Sequence, residues 1–365
     1  MNTDNRCAAL CNDKAVPDEV GEQAPMAQGL GAFCMDVEWV MSKSLKWGGL
    51  VAGVTAALVC AGSVMAAGKP VKAEIGAGID TVVDVSASPT LQRWQAGGTV
   101  TLGVREAATP MSYVIGANDQ FVGYHMDLCE RVVHAIAPKA QIKYMVLTPQ
   151  NTMPLIGNGT ADFNCASMTN NLMRQKQVAF GLTTYVSEVR MAVRADSGIT
   201  SFKQLQGRNV GAITGTTAVQ ILRKYASDND LNFKTLMSKD QFESFLLLES
   251  GRVDAFVLDD NMLAGVIGQS KNPKGYKIVG EVIGAEPIAI QFSKNDPQIK
   301  KAVDGAILQM IRSGELHKLY SKWFMQPIPP KNVNLNLPMG EMLKKQLAAG
   351  AVRIAPVSGL GWASL

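Results

Sequence analysis

The sequence predicts an α/β fold of two lobes joined by two crossing strands. Strand and helix patterns alternate at short intervals along the chain, as expected for helices packed on a sheet. Two extended runs, Tyr185–Arg194 and Gly284–Phe292, are interpreted as the crossing from one lobe to the other and as the return. The length of 365 residues fits about two domains.

Apolar runs bounded by Gly, Pro and short polar segments define the individual elements. The predicted strands are Thr99–Val104, Gln141–Val146, Ala161–Cys165, Asn209–Ile213 and Arg252–Leu258. The predicted helices are Leu91–Gln95, His125–Ile136, Ser201–Gln206, Ala218–Ala226, Asp240–Ser250, Asn261–Gly268, Asp296–Ser313, Glu315–Trp323 and Gly340–Ala348, with a further short helix after Thr148–Asn151. Pro327–Pro330 is expected to end regular structure before the tail.

The N-terminal part of the chain differs from the rest. Residues 1–40 show no clear period, and we interpret them as an extension upstream of the true start at Met41. From there a segment with two lysines precedes an apolar run, Gly48–Met65, that ends in small residues. This order predicts a cleaved signal peptide over residues 41–67. The alternative is an uncleaved membrane helix, because the run approaches the length of a membrane span.

Composition and charge exclude some classes of protein. The hydrophobic fraction of 47% and the charged fraction of 18% fit a globular protein with a core. The net charge of +4 is not gathered in a basic block, so nucleic-acid binding is not predicted. Cys7 and Cys11 have no second ligand pair, so a zinc site is not predicted either. Cys129 and Cys165 remain after the leader, and the sequence allows a disulfide or two separate buried thiols.

The segment Gly157–Phe180 carries the first indication of a binding site. Ser167 and Thr169 lie where the predicted strand Ala161–Cys165 ends, and Arg174 follows in a basic helical segment. Hydroxyl and N–H donors beside a planar guanidinium are the groups that grip both oxygens of a carboxylate. The alternative is that the hydroxyls cap the next turn and that Arg174 is solvated.

Two more strand ends carry candidate ligand contacts. Arg105 follows the strand Thr99–Val104, a usual position for ligand contacts in open α/β sheets, although it can also be a surface arginine. The turn Thr214–Thr217 joins a strand to a helix with one glycine and several hydroxyls, which is typical of an anion-binding nest. A plain helix cap by Thr216 or Thr217 is the alternative.

Two carboxylates follow a third strand. Asp259 and Asp260 come directly after the predicted strand Arg252–Leu258. They can receive an ammonium group, or they can cap the helix Asn261–Gly268.

Together these motifs resemble those of one family. The body from about Gly97 to Pro338 is similar to the periplasmic amino-acid-binding proteins of ABC importers, and most of all to the glutamate/aspartate-binding branch. The residues that carry the resemblance are GVRE around Arg105, VGY at Val122–Tyr124, NGTADFNCASMTNNLMRQKQVAF, GTT at Gly215–Thr217, LESGRVDAFVLDD and WFMQPIPPKNVNLN.

The resemblance implies a type II periplasmic binding protein, with two lobes, two crossing hinge strands and a ligand cleft between the lobes. Lobe 1 would comprise residues 97–184 and 287–338, and lobe 2 residues 185–286. Residues 68–96 would be a linker and residues 339–365 a C-terminal tail.

The resemblance also implies roles for individual residues. In the family, the arginine that matches Arg174 grips the α-carboxylate of the ligand, with help from the positions that match Thr169 and Thr217. The aspartate that matches Asp259 receives the α-ammonium together with the serine that matches Ser167. The two lobes supply opposite ends of the site, so closure of the cleft completes it.

This chain departs from the acidic-ligand branch at three positions. That branch carries a serine, an arginine and a histidine where this chain has Pro149, Thr152 and Gln241, and only Arg105 remains of the set that holds the side-chain carboxylate. A buried carboxylate with a single cation would be poorly compensated, whereas Thr152 and Gln241 offer neutral hydrogen bonds. We therefore expect a preference for an uncharged, polar amino acid over glutamate and aspartate.

The implied function is capture of a free amino acid, without a cofactor, and its delivery to an ABC permease in the inner membrane. The protein would be periplasmic, monomeric and not an enzyme. One alternative is an exported enzyme similar to cyclohexadienyl dehydratases, for which Glu106 and Asp260 are the spare carboxylates. Another is a sensory ligand-binding module. His125, His134 and His317 lie outside the candidate site segments, so triad or metal chemistry is not predicted.

Overall fold

The computed structural model describes residues 79–116 and 120–348. The predicted extension (residues 1–40) and signal peptide (residues 41–67) lie outside these ranges and stay predictions. Within the described ranges, none of the helices has the length and apolar character that a membrane crossing requires.

A mixed sheet of eight strands lies at the centre of the described structure. Its strand order is β5-β1-β6-β11-β7-β10-β8-β9, and β2-β3-β4 and β12-β13 form two small additional sheets. The strands are β1 (Thr99–Val104), β2 (Ala107–Ala108), β3 (Ser112–Ile115), β4 (Gln120–Val122), β5 (Gln141–Val146), β6 (Phe163–Asn164), β7 (Val178–Arg194), β8 (Asn209–Ile213), β9 (Lys234–Ser238), β10 (Ala255–Asp259), β11 (Tyr276–Ser293), β12 (Pro327–Ile328) and β13 (Val333–Asn334).

The helices lie between these strands along most of the chain. They are α1 (Pro89–Gln95), α2 (Tyr124–Ile136), α3 (Thr152–Gly157), α4 (Leu172–Gln175), α5 (Thr217–Asp228), α6 (Gln241–Glu249), α7 (Asp260–Gln269), α8 (Pro297–Arg312), α9 (Glu315–Tyr320) and α10 (Glu341–Ala348). Short 3₁₀ helices occupy Val85–Ala87, Phe202–Leu205 and Pro273–Gly275, and a π-helical segment, Ser321–Met325, follows α9. The helix predicted over Ser201–Gln206 is a 3₁₀ helix in the structure. The strand β9 was not predicted from the sequence.

Strands β7 and β11 join two half-sheets. The two strands pair in antiparallel fashion along most of their length. Strand β6 pairs with the end of β11 at Gln291 and Phe292, whereas β10 pairs with β7 through Val189–Val193. The parallel group β5-β1-β6 therefore lies at one end of the strand pair, and the parallel group β10-β8-β9 lies at the other. This is the predicted two-lobed arrangement with two crossing strands.

Both crossing strands begin earlier in the chain than predicted. Strand β7 starts at Val178 rather than Tyr185, and β11 starts at Tyr276 rather than Gly284. Most residues in the first part of β7 are buried, so apolar and polar residues do not alternate there. A strand that is covered on both faces lacks the period-2 pattern by which a half-buried strand is recognised.

The segment predicted as a linker, residues 68–96, ends in a packed helix. Ser88 caps α1 by accepting a hydrogen bond from the Leu91 N–H at 3.0 Å. Leu91 and Trp94 are buried, and the Trp94 ring lies 5.4 Å from the ring of Phe163 in β6. Burial of an indole of this size stabilises the half-sheet around β1, so α1 is part of the folded body.

Helix α2 holds the chain immediately before Ser167. Cys129 of α2 forms a disulfide with Cys165, with their Cα atoms 5.9 Å apart, which decides between the two alternatives that the sequence allowed. One turn earlier, Nδ1 of His125 donates to the carbonyl of Ala166 at 2.8 Å, and Nε2 accepts from the hydroxyl of Thr184 at 2.8 Å. Burial lowers the pKa of His125 to about 4, so its ring is neutral at neutral pH.

Loss of the disulfide should lower the stability of the protein markedly. The bridge spans 36 residues, and closing a loop of that length in the unfolded chain corresponds to about 3–4 kcal/mol. We expect the double variant Cys129→Ser/Cys165→Ser to lose a free energy of unfolding of that order in urea denaturation. Treatment of the wild-type protein with a reductant is the matched control and should have the same effect. Equal stability of the oxidised, reduced and double-serine proteins would contradict the prediction.

Candidate functional site

The carboxyl ends of β1, β6, β8 and β10 meet at a small cavity between the half-sheets. Seven of the predicted residues, namely Arg105, Ser167, Thr169, Arg174, Thr216, Thr217 and Asp259, line this proximal cavity, whose volume is about 30 Å³. Pro149, Met168, Gly215, Leu258 and Met262 complete its wall. Because parallel strands end at the same edge of a sheet, residues that are distant in sequence come together here.

The loop that carries Ser167 and Thr169 is held by the crossing strand β11. The Asn170 N–H donates to the carbonyl of Pro287 at 2.8 Å, and the Ala289 N–H donates to the carbonyl of Met168 at 3.2 Å. Backbone hydrogen bonds on both sides of Thr169 fix its position. The loop that carries Ser167 and Thr169 is therefore fixed to the crossing strand β11 by backbone hydrogen bonds.

Arg174 lies against this loop rather than in solvent. Its half-buried side chain donates from Nη1 to the carbonyl of Thr169 at 3.1 Å. Helix α4 is capped by Asn171, whose side chain accepts from the Arg174 N–H at 2.9 Å, so Ser167 and Thr169 are not needed as caps. Burial lowers the pKa of Arg174, and the carboxyl groups of Glu286 and Asp259 oppose that shift.

The N-terminus of α5 faces the same cavity. Thr216 occupies the cap position, but its hydroxyl donates to the carbonyl of Ile213 at 2.8 Å and no side chain caps the helix. The first N–H groups of a helix are unsatisfied and favour an anion. Gly215 has a φ of +82°, and a Cβ atom at this position would lie 3.1 Å from the backbone of Pro149 in the opposite half.

Hydroxyl contacts cross the cleft at two points. The hydroxyls of Thr169 and Thr217 lie 2.9 Å apart, and the hydroxyl of Ser167 donates to Oδ2 of Asp259 at 3.4 Å. In both pairs the first residue follows β6 and the second belongs to the half-sheet around β10. The two halves are therefore in contact around the proximal cavity.

The two consecutive aspartates have different environments. Asp260 is the first residue of α7, and its carboxylate accepts from the N–H groups of Glu188 at 3.1 Å and Asn261 at 2.8 Å. Asp259 occupies the cap position of this helix, but its side chain makes no cap hydrogen bond. Burial raises the pKa of Asp260 to about 7. Asp259 lines the cavity instead. Burial raises its pKa well above the usual range, and the nearby carboxylate of Glu286 raises it further.

Arg105 is a buried cation at the edge of the proximal cavity. It is 9% exposed, and its Nε atom has no hydrogen-bond partner within residues 79–116 and 120–348. Within these two ranges, the guanidinium of Arg105 takes part in none of the ion pairs. Burial lowers the pKa of Arg105 to about 10, so the side chain stays charged at neutral pH. It is not a surface arginine, which was the alternative.

A second, distal cavity of about 180 Å³ adjoins the first and shares Arg105, Pro149, Thr216 and Met262 with it. Gln241 lines this distal cavity and is 1% exposed, and neither its amide nitrogen nor its amide oxygen has a partner among the described residues.

Thr152, the ninth predicted residue, lines neither cavity. Its buried hydroxyl donates to the carbonyl of Thr148 at 2.6 Å. This hydrogen bond links the first residue of α3 to the turn that precedes the helix.

The sequence did not single out Glu286. It lies on β11 opposite Ser187 of β7, is fully buried, and faces Asp259 and Arg174 electrostatically. One indication was present in the sequence, since Glu286 is the sole charged residue in the extended run Gly284–Phe292. In the part of the chain that the structure describes, no cluster of three or more His, Cys, Asp or Glu side chains is arranged to hold a metal ion.

Two lobes joined by crossing strands, with a guanidinium on one side of the cleft and a carboxylate on the other, define a hinged solute-binding protein. The chain belongs to the bacterial extracellular solute-binding proteins, family 3, whose sequence profile matches residues 100–326. The L-glutamate/L-aspartate-binding protein of Pseudomonas aeruginosa is 39% identical over 265 residues, which cover 71% of this chain and 88% of that protein. The glutamate/aspartate import solute-binding protein of Escherichia coli is 38% identical over 264 residues, covering 71% and 87%.

Solved structures share the fold. An ancestral arginine-binding protein bound to glutamine has a TM-score of 0.57 and 28% identity, and the match covers 62% of this chain and 98% of that chain. An ancestral amino-acid-binding protein, described as a precursor of cyclohexadienyl dehydratase, has a TM-score of 0.56 and 25% identity, covering 64% and 98%.

Proposed function

We propose that the protein binds a free amino acid in the cleft and delivers it to the permease of an ABC importer. The observation that carries the proposal is the placement of opposite charges around one cavity. Arg174 and the open N-terminus of α5 offer donors to an α-carboxylate, and Asp259 with Ser167 offers acceptors to an α-ammonium. The relatives from P. aeruginosa and E. coli, both named as amino-acid-binding proteins, support this interpretation.

We propose further that the protein is exported to the periplasm and acts there as a monomer without a cofactor. The disulfide between Cys129 and Cys165 supports an oxidising compartment. The family is one of extracellular proteins. A leader cleaved near residue 67 and the lobe boundaries given above are parts of the same proposal.

The ligand that we propose is an uncharged, polar amino acid. Two guanidiniums, those of Arg105 and Arg174, face two carboxyl groups, those of Asp259 and Glu286. When all four groups are charged their sum is zero, so a ligand with a net negative charge would bring an unbalanced charge into a buried site. The free amide of Gln241 in the distal cavity can both donate to and accept from a side-chain amide or hydroxyl.

Glutamate or aspartate is the second candidate. The ion-pair-free guanidinium of Arg105 favours an anionic side chain, and the two relatives described above are named for these ligands. The distal cavity is lined by two carboxylates, Glu106 and Asp240, and by two cations, Lys239 and Arg105. The charges of these four side chains cancel, so the distal cavity has no surplus of positive charge. The charge count is therefore the reason to place the neutral ligand first.

Calorimetry with individual amino acids tests the proposal. We expect L-glutamine, L-asparagine or another uncharged polar amino acid to bind at least about tenfold more tightly than L-glutamate and L-aspartate, a difference of about 1.4 kcal/mol. Gln241→Leu should reduce that preference, because it removes the amide from the distal cavity. Gln220→Leu, on the exposed side of α5, is the matched control.

Three outcomes would contradict parts of this proposal. Submicromolar binding of glutamate or aspartate, with no tighter neutral ligand, would show that Arg105 is sufficient for an acidic ligand. Absence of binding by all amino acids would overturn the binding function itself. Turnover of prephenate or arogenate would favour the enzyme, for which the structure adds Glu286 to the spare carboxylates.

A further inference from the structure

Glu286 is a buried carboxylate without a hydrogen-bond donor. Its side chain is fully buried at the crossing of β7 and β11, and neither of its carboxylate oxygens has a partner within the described residues. Ser187, which lies opposite it in the strand pair, donates to its backbone carbonyl at 3.5 Å and not to the carboxylate. A buried charge in this state is strongly unfavourable unless another group compensates it.

Asp259 pairs with Val189 and Glu286 pairs with Ser187, so the two residues flank β7 on the same face of the sheet. The carboxyl of Glu286 therefore faces that of Asp259 electrostatically. Asp259 is also buried, at 7% exposure, and lies at the wall of the proximal cavity. Two ionised carboxylates repel one another and are both acceptors, so they form a hydrogen bond only when one of them carries a proton. Both residues belong to lobe 2 as defined above, with Asp259 at the end of β10 and Glu286 near the end of that lobe on the crossing strand β11.

On the basis of the proposed amino-acid ligand, we propose that Glu286 is a positioning residue that makes ligand binding displace a proton. In the empty site Asp259 and Glu286 share one proton. The ammonium group of the ligand then takes the place of this proton on Asp259, and the proton leaves to solvent. The charge balances, because the ammonium of the ligand brings one positive charge next to the Asp259 carboxylate while the proton carries one away. The only covalent bond that breaks is the O–H bond of the shared proton.

Other charged and titratable groups face the pair and bear on its protonation. Arg174 and Arg105 are cations that favour the ionised carboxylates. Tyr185, from β7, has a pKa raised by burial and remains neutral. Asp260, with a pKa of about 7, is the competing source of a linked proton, but its carboxylate accepts two backbone N–H groups and does not line the proximal cavity.

Calorimetry in two buffers of different ionisation enthalpy measures the proton directly. We expect titration of the full-length processed protein with L-glutamine and L-glutamate to release close to one proton per bound ligand at pH values below the pKa of the pair. In the same range the Kd should rise by up to about tenfold for each unit that the pH falls. Glu286→Gln should reduce the release and move the pH profile to lower pH, because the amide is uncharged and donates to Asp259, whose pKa is then raised by burial without the second carboxylate.

Two further variants separate this mechanism from others. Glu188→Gln removes a nearby exposed carboxylate of β7 and should leave the proton count unchanged. Asp260→Asn should also leave it unchanged. Release that persists in Glu286→Gln but disappears in Asp260→Asn would overturn the inference. Ligand binding by the wild-type protein without any buffer dependence would overturn it even if the Glu286 variant did not fold, while leaving the amino-acid-binding function intact. Failure of every amino acid to bind would overturn both.

Discussion

Arg174→Ala should weaken binding of the amino-acid ligand by more than about tenfold. Arg174 lies half-buried beside Thr169 and the open N-terminus of α5, where it faces the α-carboxylate in the proposed complex. Truncation of one partner of a desolvated, charge-assisted hydrogen bond costs about 2–5 kcal/mol, and about 1.4 kcal/mol already corresponds to a factor of ten. Calorimetry with the tightest ligand of the wild-type protein measures the effect.

Two control variants sharpen this test. Arg174→Lys keeps the positive charge but lacks the planar fork that contacts two carboxylate oxygens, so its affinity should lie between those of the wild-type protein and the alanine variant. Arg208→Ala removes a surface arginine that pairs with Asp254 at 3.4 Å and should leave the affinity unchanged. Native affinity in Arg174→Ala would refute the assignment of the carboxylate subsite.

Asp259→Asn should also weaken binding by more than about tenfold, since the ammonium group loses its buried counter-charge. The same change should stabilise the ligand-free protein at neutral and alkaline pH. The pKa of Asp259 is raised in the folded state by burial and by Glu286, so the folded protein holds this proton more tightly than the unfolded chain does. The contribution of Asp259 to the free energy of unfolding is fully present below the pKa that this group has in the unfolded chain. The contribution is lost as the pH rises through the pKa that Asp259 has in the folded protein.

Urea denaturation of the ligand-free protein at pH 5 and pH 8 tests the second part of this prediction. The amide of the Asp259→Asn variant has no proton to lose in this range, so the gain in stability over the wild-type protein should be larger at pH 8 than at pH 5. Asp228→Asn, at an exposed position that pairs with Lys224, should show no such dependence. A variant that loses both affinity and stability at pH 8 would indicate that Asp259 supports the fold rather than the ligand.

Local patterns were sufficient to predict the strand ends that form the site. The apolar runs of β1, β5 and β8 have the bounds that the sequence predicted, because each is short and flanked by turn residues or helices. The positions of Ser167, Thr169, Thr216 and Asp259 at the proximal cavity could be predicted because polar residues that follow a buried strand lie at the edge of an α/β sheet where ligands bind. These relations involve residues that are neighbours in the chain.

Contacts between distant segments decided the rest. The sequence alone left open whether Cys129 and Cys165 meet, because their distance depends on how α2 packs against β6. Thr152 was predicted as a ligand contact, but its hydroxyl bonds to Thr148, whereas Gln241 faces the distal cavity with its amide free. Glu286 faces Asp259 only because β11 and β10 pair with the two edges of β7. Whether a charged group is buried, and which group it faces, depends on the packing of segments that are distant in sequence. The hydrophobic pattern along the chain therefore does not tell which two buried carboxylates will lie close together.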